Sequence, residues 1–255
     1  MKNKLQSFET YRGFAALMIA AVHFNVNSPL SNHSLANGLF VHFFFTLSGF
    51  VMYLNYNNKL IDFSSVKNFL KKRFFRLYPL HLLFLIIFLI IEFSKYFAQI
   101  KYGLVANNVA FSINNFKTFL GNIFLIQTFF DYNTFNTPSW SISAEYYTYM
   151  IFALVFFFTK KTNLLIFISL VGILTFRINS EIGLGIEKTY LSFLDCVYCF
   201  FIGVFSCKIY FKYSNLEIFQ KYYSLITLIL LVVSGLLIIN IGGKLSFIIP
   251  LFFGL

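Results

Sequence analysis

Charge is what this sequence has least of. Only 11% of its 255 residues are Asp, Glu, Lys or Arg, while 58% are apolar and the mean hydropathy is +0.75. A soluble domain meets water with about a quarter of its residues charged. The shortage excludes a water-facing surface; a lipid-facing one needs no such cover. Acidic residues are scarcer still, nine against twenty Lys and Arg, which leaves a net charge of +11. In a soluble chain that imbalance points to nucleic acid. Here the basic residues cluster between apolar segments, the pattern of topogenic charge, and no nucleic-acid partner is expected. Cysteine is rare: Cys196, Cys199 and Cys207 share one apolar segment, with no His or further Cys at metal spacing. Helix packing is their expected role, and no metal site is expected. Linkers rich in Pro, Gly or Ser are absent, as are internal repeats, so one domain over 1–255 is the simplest organisation. The first apolar stretch lacks a small-residue cleavage site and holds Arg12 and His23, which reads as a retained helix.

What the chain does have is long apolar runs and 38 Phe and 16 Tyr, bulk suited to a lipid boundary. A crossing helix needs about 20 mostly apolar residues. Candidates are 8–26, 37–56, 77–97, 144–159, 163–179, 190–211 and 222–241, with an eighth starting near 245 and incomplete at Leu255. The expected fold class is therefore all-α, a polytopic transmembrane bundle of about eight spans, short of its C-terminal helices.

Charge sets the expected orientation. Loop 27–36 has no Lys or Arg, whereas 57–76 holds Lys59, Lys67, Lys71, Lys72, Arg73 and Arg76. That places the N-terminus and 57–76 in the cytoplasm of a cell whose inner membrane holds the chain. A shorter apolar piece, 118–130, decides the rest. Read as re-entrant or flat, it leaves thirteen basic residues inside and five outside, namely Lys95, Lys101, Lys117, Lys188 and Lys244. Segment 63–76 alternates apolar and basic residues and reads as an amphipathic helix on the cytoplasmic surface, bound to anionic lipid or to a ligand.

Ionisable side chains within apolar helices are costly and usually functional. Arg12 and His23 are eleven residues apart in the first span. At 100° per residue that is about 20° beyond three turns, so they share a face roughly 16 Å apart along the axis. Snorkelling would explain Arg12 alone, and an interhelical hydrogen bond His23 alone; the shared face favours a polar track. Arg73 and Arg76, three apart, could clamp phosphate or merely end the basic cluster. Thr137 before Pro138 looks like a helix N-cap followed by proline at the first position. Glu145 lies just inside the next apolar segment, and Trp140, the chain's single Trp, suits an interfacial anchor. Asp195 is a further acid in an apolar run, with no partner evident from sequence.

Four ordered motifs resemble the type-three acyltransferases, a family of bacterial multi-helix membrane enzymes that acylate polysaccharide, lipopolysaccharide and related glycans. They are Arg12 with His23, the run Phe44-Phe45-Thr46-Leu47-Ser48-Gly49-Phe50, the run Arg73 to Tyr78-Pro79, and Pro138-Ser139-Trp140-Ser141-Ile142-Ser143-Ala144-Glu145. Together they cover residues 11–147. The chain departs from the pattern at His42, where the second motif often carries Asp. The resemblance implies an acyl-CoA, most often acetyl-CoA, as co-substrate with no bound cofactor, and a glycan or lipid-linked glycan as acceptor. It implies His23 as catalytic base with Glu145 orienting it, and Arg12, Arg73 and Arg76 holding acyl-CoA phosphates. Ser48, Gly49, Trp140 and Ser141 support the motifs. A transporter or flippase of lipid-linked glycan is the competing reading; the inverted repeats transporters often show are not found.

Overall fold

The computed structural model describes residues 13, 15–17, 19–20, 34–106, 108–129, 135–159, 168–175 and 188–216. Among them every regular element is helical: α1 (Ser34–Tyr56), α2 (Phe63–Tyr102), α3 (Phe116–Ile123), a 3-10 turn (Thr137–Ser139), α4 (Trp140–Phe158) and α5 (Lys188–Tyr213), with further helical residues at 168–175. The expected spans 37–56, 77–97, 144–159 and 190–211 fall on α1, α2, α4 and α5. Three helices among the described residues, α2, α4 and Ser192–Tyr213 within α5, are long and apolar enough to cross a membrane. Spans 8–26 and 163–179 are described only in part, and 222–241 and the stretch from 245 lie outside the described residues.

The chain groups into two compact units, one of Met1–Lys59, Lys161–Gly185 and Asp195–Leu255, the other of Leu60–Lys160 and Ile186–Leu194. In the second unit α2 is a single helix of 40 residues, about 60 Å long and so twice the hydrocarbon thickness. The expected break between a surface helix at 63–76 and a span from 77 is absent. Pro79 removes one backbone donor, yet the helix runs through it. A capping box starts it: the Asp62 side chain accepts from Ser65 N, and the Ser65 hydroxyl accepts from Asp62 N. Gly103, at φ 64°, ends it in the left-handed region that glycine adopts freely, its N–H donating to Gln99 O. The exposed face of α2 is apolar, with Leu80, Leu83, Ile86, Ile90 and Phe97, while His81 and Glu92 are buried. That arrangement, polar inward and apolar outward, is the one lipid selects.

Helix α4 runs antiparallel to α2: Phe69 meets Phe152, and further along α2 Phe74 meets Tyr146, earlier on α4. Beyond the start of α4, the remaining length of α2 is covered by 108–129. Tyr78 donates to Ile123 O, His81 Nε2 bonds Asn122 O, and Glu92 accepts from Phe111 N and Asn114 Nδ2. Helix α3 has eight residues, about 12 Å, far short of a span. It therefore lies along α2, as the re-entrant or flat reading of 118–130 requires.

In the first unit α1 and α5 run parallel. His42 faces Asp195, Gly49 faces Phe200, and Tyr53 faces Lys208, in the same order on both helices. The two backbones touch. A Cβ at Gly49 would collide with the carbonyl of Phe200, and one at Gly203 with the carbonyl of Thr46. Small residues at a crossing let membrane helices approach this closely. Cys196, Cys199 and Cys207 are free thiols buried along α5, in keeping with a packing role.

Candidate active site

The second unit builds a polar site on the start of α4. Asn136 stands at the N-cap position of the 3-10 turn there, without a side-chain capping bond, so Thr137 is the turn's first residue rather than the cap, and Pro138 follows it. Trp140 then opens α4. The serines and carbonyls of this run hold 125–128. Ser143 Oγ donates to Leu125 O, Gln127 Nε2 to Ser139 O at 3.2 Å, and Thr128 Oγ1 to Trp140 O at 2.9 Å. Ser141 Oγ donates locally to Pro138 O, 2.9 Å away, and its own side is more open. Ser143, Gln127 and Ser139 are buried, so each bond satisfies a group that would otherwise cost free energy in an apolar setting. The motif around Trp140 is thus, first, the clasp that docks the short segment onto α4.

One turn into α4 the chemistry changes. Tyr149 donates its hydroxyl to Glu145 Oε1 at 2.5 Å. The two are four apart, hence neighbours on one helix face. From α2, Arg73 lays its guanidinium over the rings of Tyr149 and Phe69, 5.9 and 5.8 Å from their centroids. Arg73 and Glu145 are half-buried and Tyr149 is buried. Arg73 therefore sits level with the middle of α4 and not at the end of the helix pair. Arg76 is exposed, so the two arginines meet different surroundings despite their spacing. A cation on aromatic faces and a carboxylate held by a phenol, both on apolar helices, are an expensive arrangement. Sequence reasoning found Arg73 and Glu145 but passed over Tyr149; its spacing from Glu145 was the available signal.

In the first unit Ser48 is half-buried and Gly49 is the point of helix contact. The acid without an evident partner has one: Asp195 Oδ2 is 3.8 Å from His42 Nε2. Arg12 and His23 lie outside the described residues.

The family model described as "Acyltransferase domain" matches residues 5–255. The chain belongs to this acyltransferase family. Its membership and its apolar helices make it a membrane protein. The protein named Acyltransferase MdmB, from Streptomyces mycarofaciens, is 30% identical over 171 residues, which cover 62% of this chain and 41% of that relative. The chain thus matches less than half the length of this curated relative. No solved structure matches. Within the acyltransferase family, the Arg73–Tyr149–Glu145 array and the clasp around Trp140 are this chain's own geometry for two of the four motifs.

Proposed function

We propose that the chain is an O-acyltransferase of the inner membrane, with about eight spans and a cytoplasmic N-terminus. It moves an acyl group, acetyl first among the candidates, from acyl-CoA to a hydroxyl of a cell-surface polysaccharide, lipopolysaccharide or a lipid-linked precursor. The observation that carries this reading, in a chain of an acyltransferase family, is the gathering of Arg73 and Glu145 on Tyr149 between two apolar helices. Such groups are retained in membrane helices where they act on a substrate.

In this mechanism Arg73, with Arg12 and the exposed Arg76, offers planar guanidinium groups to the phosphates of acyl-CoA. His23, near neutrality in its ordinary titration, takes the proton of the acceptor hydroxyl as its oxygen attacks the thioester carbonyl. The carbon–sulfur bond breaks and the CoA thiolate leaves. Glu145 orients or charge-couples the imidazole. Removing a general base costs about 10²–10⁴ in rate.

Mass spectrometry of cell-surface glycans, with and without the gene, tests the reading. A difference of one acyl mass is expected, lost again on His23→Ala while the protein still inserts. Identical glycans in the two strains would sink it.

A further inference from the structure

The pair that the sequence left unexplained is the strongest feature outside the Arg73–Tyr149–Glu145 array. His42 Nε2 and Asp195 Oδ2 are 3.8 Å apart, with side chains only 13% and 16% exposed. The other imidazole nitrogen, His42 Nδ1, is buried with no hydrogen-bond partner among the described residues. So is the hydroxyl of Tyr198, three residues on from Asp195 and 4% exposed. A buried polar atom left without a partner forfeits its hydration for nothing. Two of them on one pair of touching helices, beside a carboxylate, have the character of a site awaiting a polar ligand.

The ligand's chemistry follows from the groups. Nε2 is turned toward the Asp195 carboxylate, which leaves Nδ1 as the ring nitrogen free of a hydrogen bond among the described residues. A ring nitrogen on α1 and a phenol on α5, each able to donate or accept, match an alcohol, which donates one hydrogen bond and accepts another. His42 lies eight residues into α1 and Asp195 seven into α5, so each is about 10–12 Å from the helix start. On the proposed topology both starts face outward, where a surface glycan or its precursor would arrive.

We propose that His42, paired with Asp195, binds a hydroxyl of the acyl acceptor, with the Tyr198 phenol of α5 as a second polar group. This rests on the acyltransferase reading and adds an acceptor subsite to it. Asp195 is here a positioning residue. The familiar Asp of the second motif is replaced by His42, and the carboxylate is supplied from α5 instead.

The test uses the full chain in its own cells and membranes, with two readouts: acylation of the native surface glycan by mass spectrometry, and stabilisation of the detergent-solubilised protein by acetyl-CoA. His42→Ala should lower acylation about tenfold or more while acetyl-CoA still stabilises the protein. His42→Gln keeps a hydrogen-bonding side chain of similar reach, should fold if His42→Ala does not, and should retain part of the activity. His42→Asp alone sets two carboxylates together and should be as poor as His42→Ala. The exchange His42→Asp with Asp195→His should recover acylation. Full acylation by His42→Ala, or loss of acetyl-CoA stabilisation by every single variant with no recovery in the exchange, overturns the subsite and leaves a structural pair. A wild-type chain that acylates no glycan overturns the acyltransferase reading itself, and the acceptor role with it.

Discussion

Tyr149 carries two interactions that one substitution can separate. Its hydroxyl donates to Glu145 Oε1, and its ring lies under the Arg73 guanidinium. Tyr149→Phe keeps the ring and deletes the hydroxyl. We expect turnover to fall about tenfold, the cost of one charge-assisted hydrogen bond, with the KM for acyl-CoA little changed. Tyr149→Leu removes the ring as well and should raise that KM, because Arg73 loses its support. Steady-state kinetics on purified variants separates the two; equal effects of Phe and Leu on both constants would make Tyr149 a packing residue only. This residue was hard to read from sequence for a plain reason. Arg73 and Glu145 stand out because ionisable groups are rare in apolar helices, whereas a tyrosine among sixteen does not. Asp195 stood out too, but its partner lies on a helix far away in sequence, and no periodicity links them.

Helices were legible where apolar runs exceed a membrane's thickness, and less so at their ends. Sequence divides α2 between Arg76 and Leu77 because charge stops and apolarity begins there; the backbone ignores the division, since hydrogen bonding within a helix does not depend on which solvent surrounds it. Its true start was written in Asp62-x-x-Ser65. The Asp62 carboxyl lies below its ordinary pKa, first through the Ser65 side-chain bond and then through the Ser65 backbone N–H. A depressed carboxylate contributes above its unfolded pKa and loses that contribution as pH falls through the folded value. Exchange of the Ser65 amide should therefore quicken as pH drops below the ordinary carboxylate range, beyond the intrinsic pH effect. Asp62→Asn should abolish that dependence while keeping a cap. Contact between α1 and α5 makes a sharper demand. Gly49→Ala or Gly203→Ala drives a Cβ into a facing carbonyl, which rigid backbone cannot yield. Either should cost about 1–3 kcal/mol or more and lower the melting temperature in detergent. Gly172→Ala, with nothing within 4 Å of the added carbon, is the control and should be neutral or mildly stabilising.

Across the whole molecule, helix direction does what composition alone does not. Sequence leaves 118–130 open because a short apolar piece suits either a crossing or a surface. Two packing facts bear on the question. Since α2 and α4 are antiparallel, the chain between them makes no net crossing. On the proposed topology, in which α1 and 163–179 cross, the parallel α1 and α5 call for an odd number of crossings between them, which is met if 118–130 does not cross. The ends of α1 and α5 share one side with Lys59, Lys208 and Lys212, and the proposed topology puts that side in the cytoplasm. Single cysteines at Asn58 and Asn215, both exposed just past those helix ends, should resist an impermeant thiol reagent on intact cells and react once the membrane is opened. A cysteine at Asn108, in the exposed loop beyond α2, should react on intact cells. The buried thiols Cys196, Cys199 and Cys207 should stay silent in all three backgrounds. If 118–130 crossed, Asn215 would face outward, opposite to Asn58. Labelling of Asn215 on intact cells with Asn58 protected would break the parallel pairing of α1 and α5, and with it the His42–Asp195 subsite that depends on that pairing.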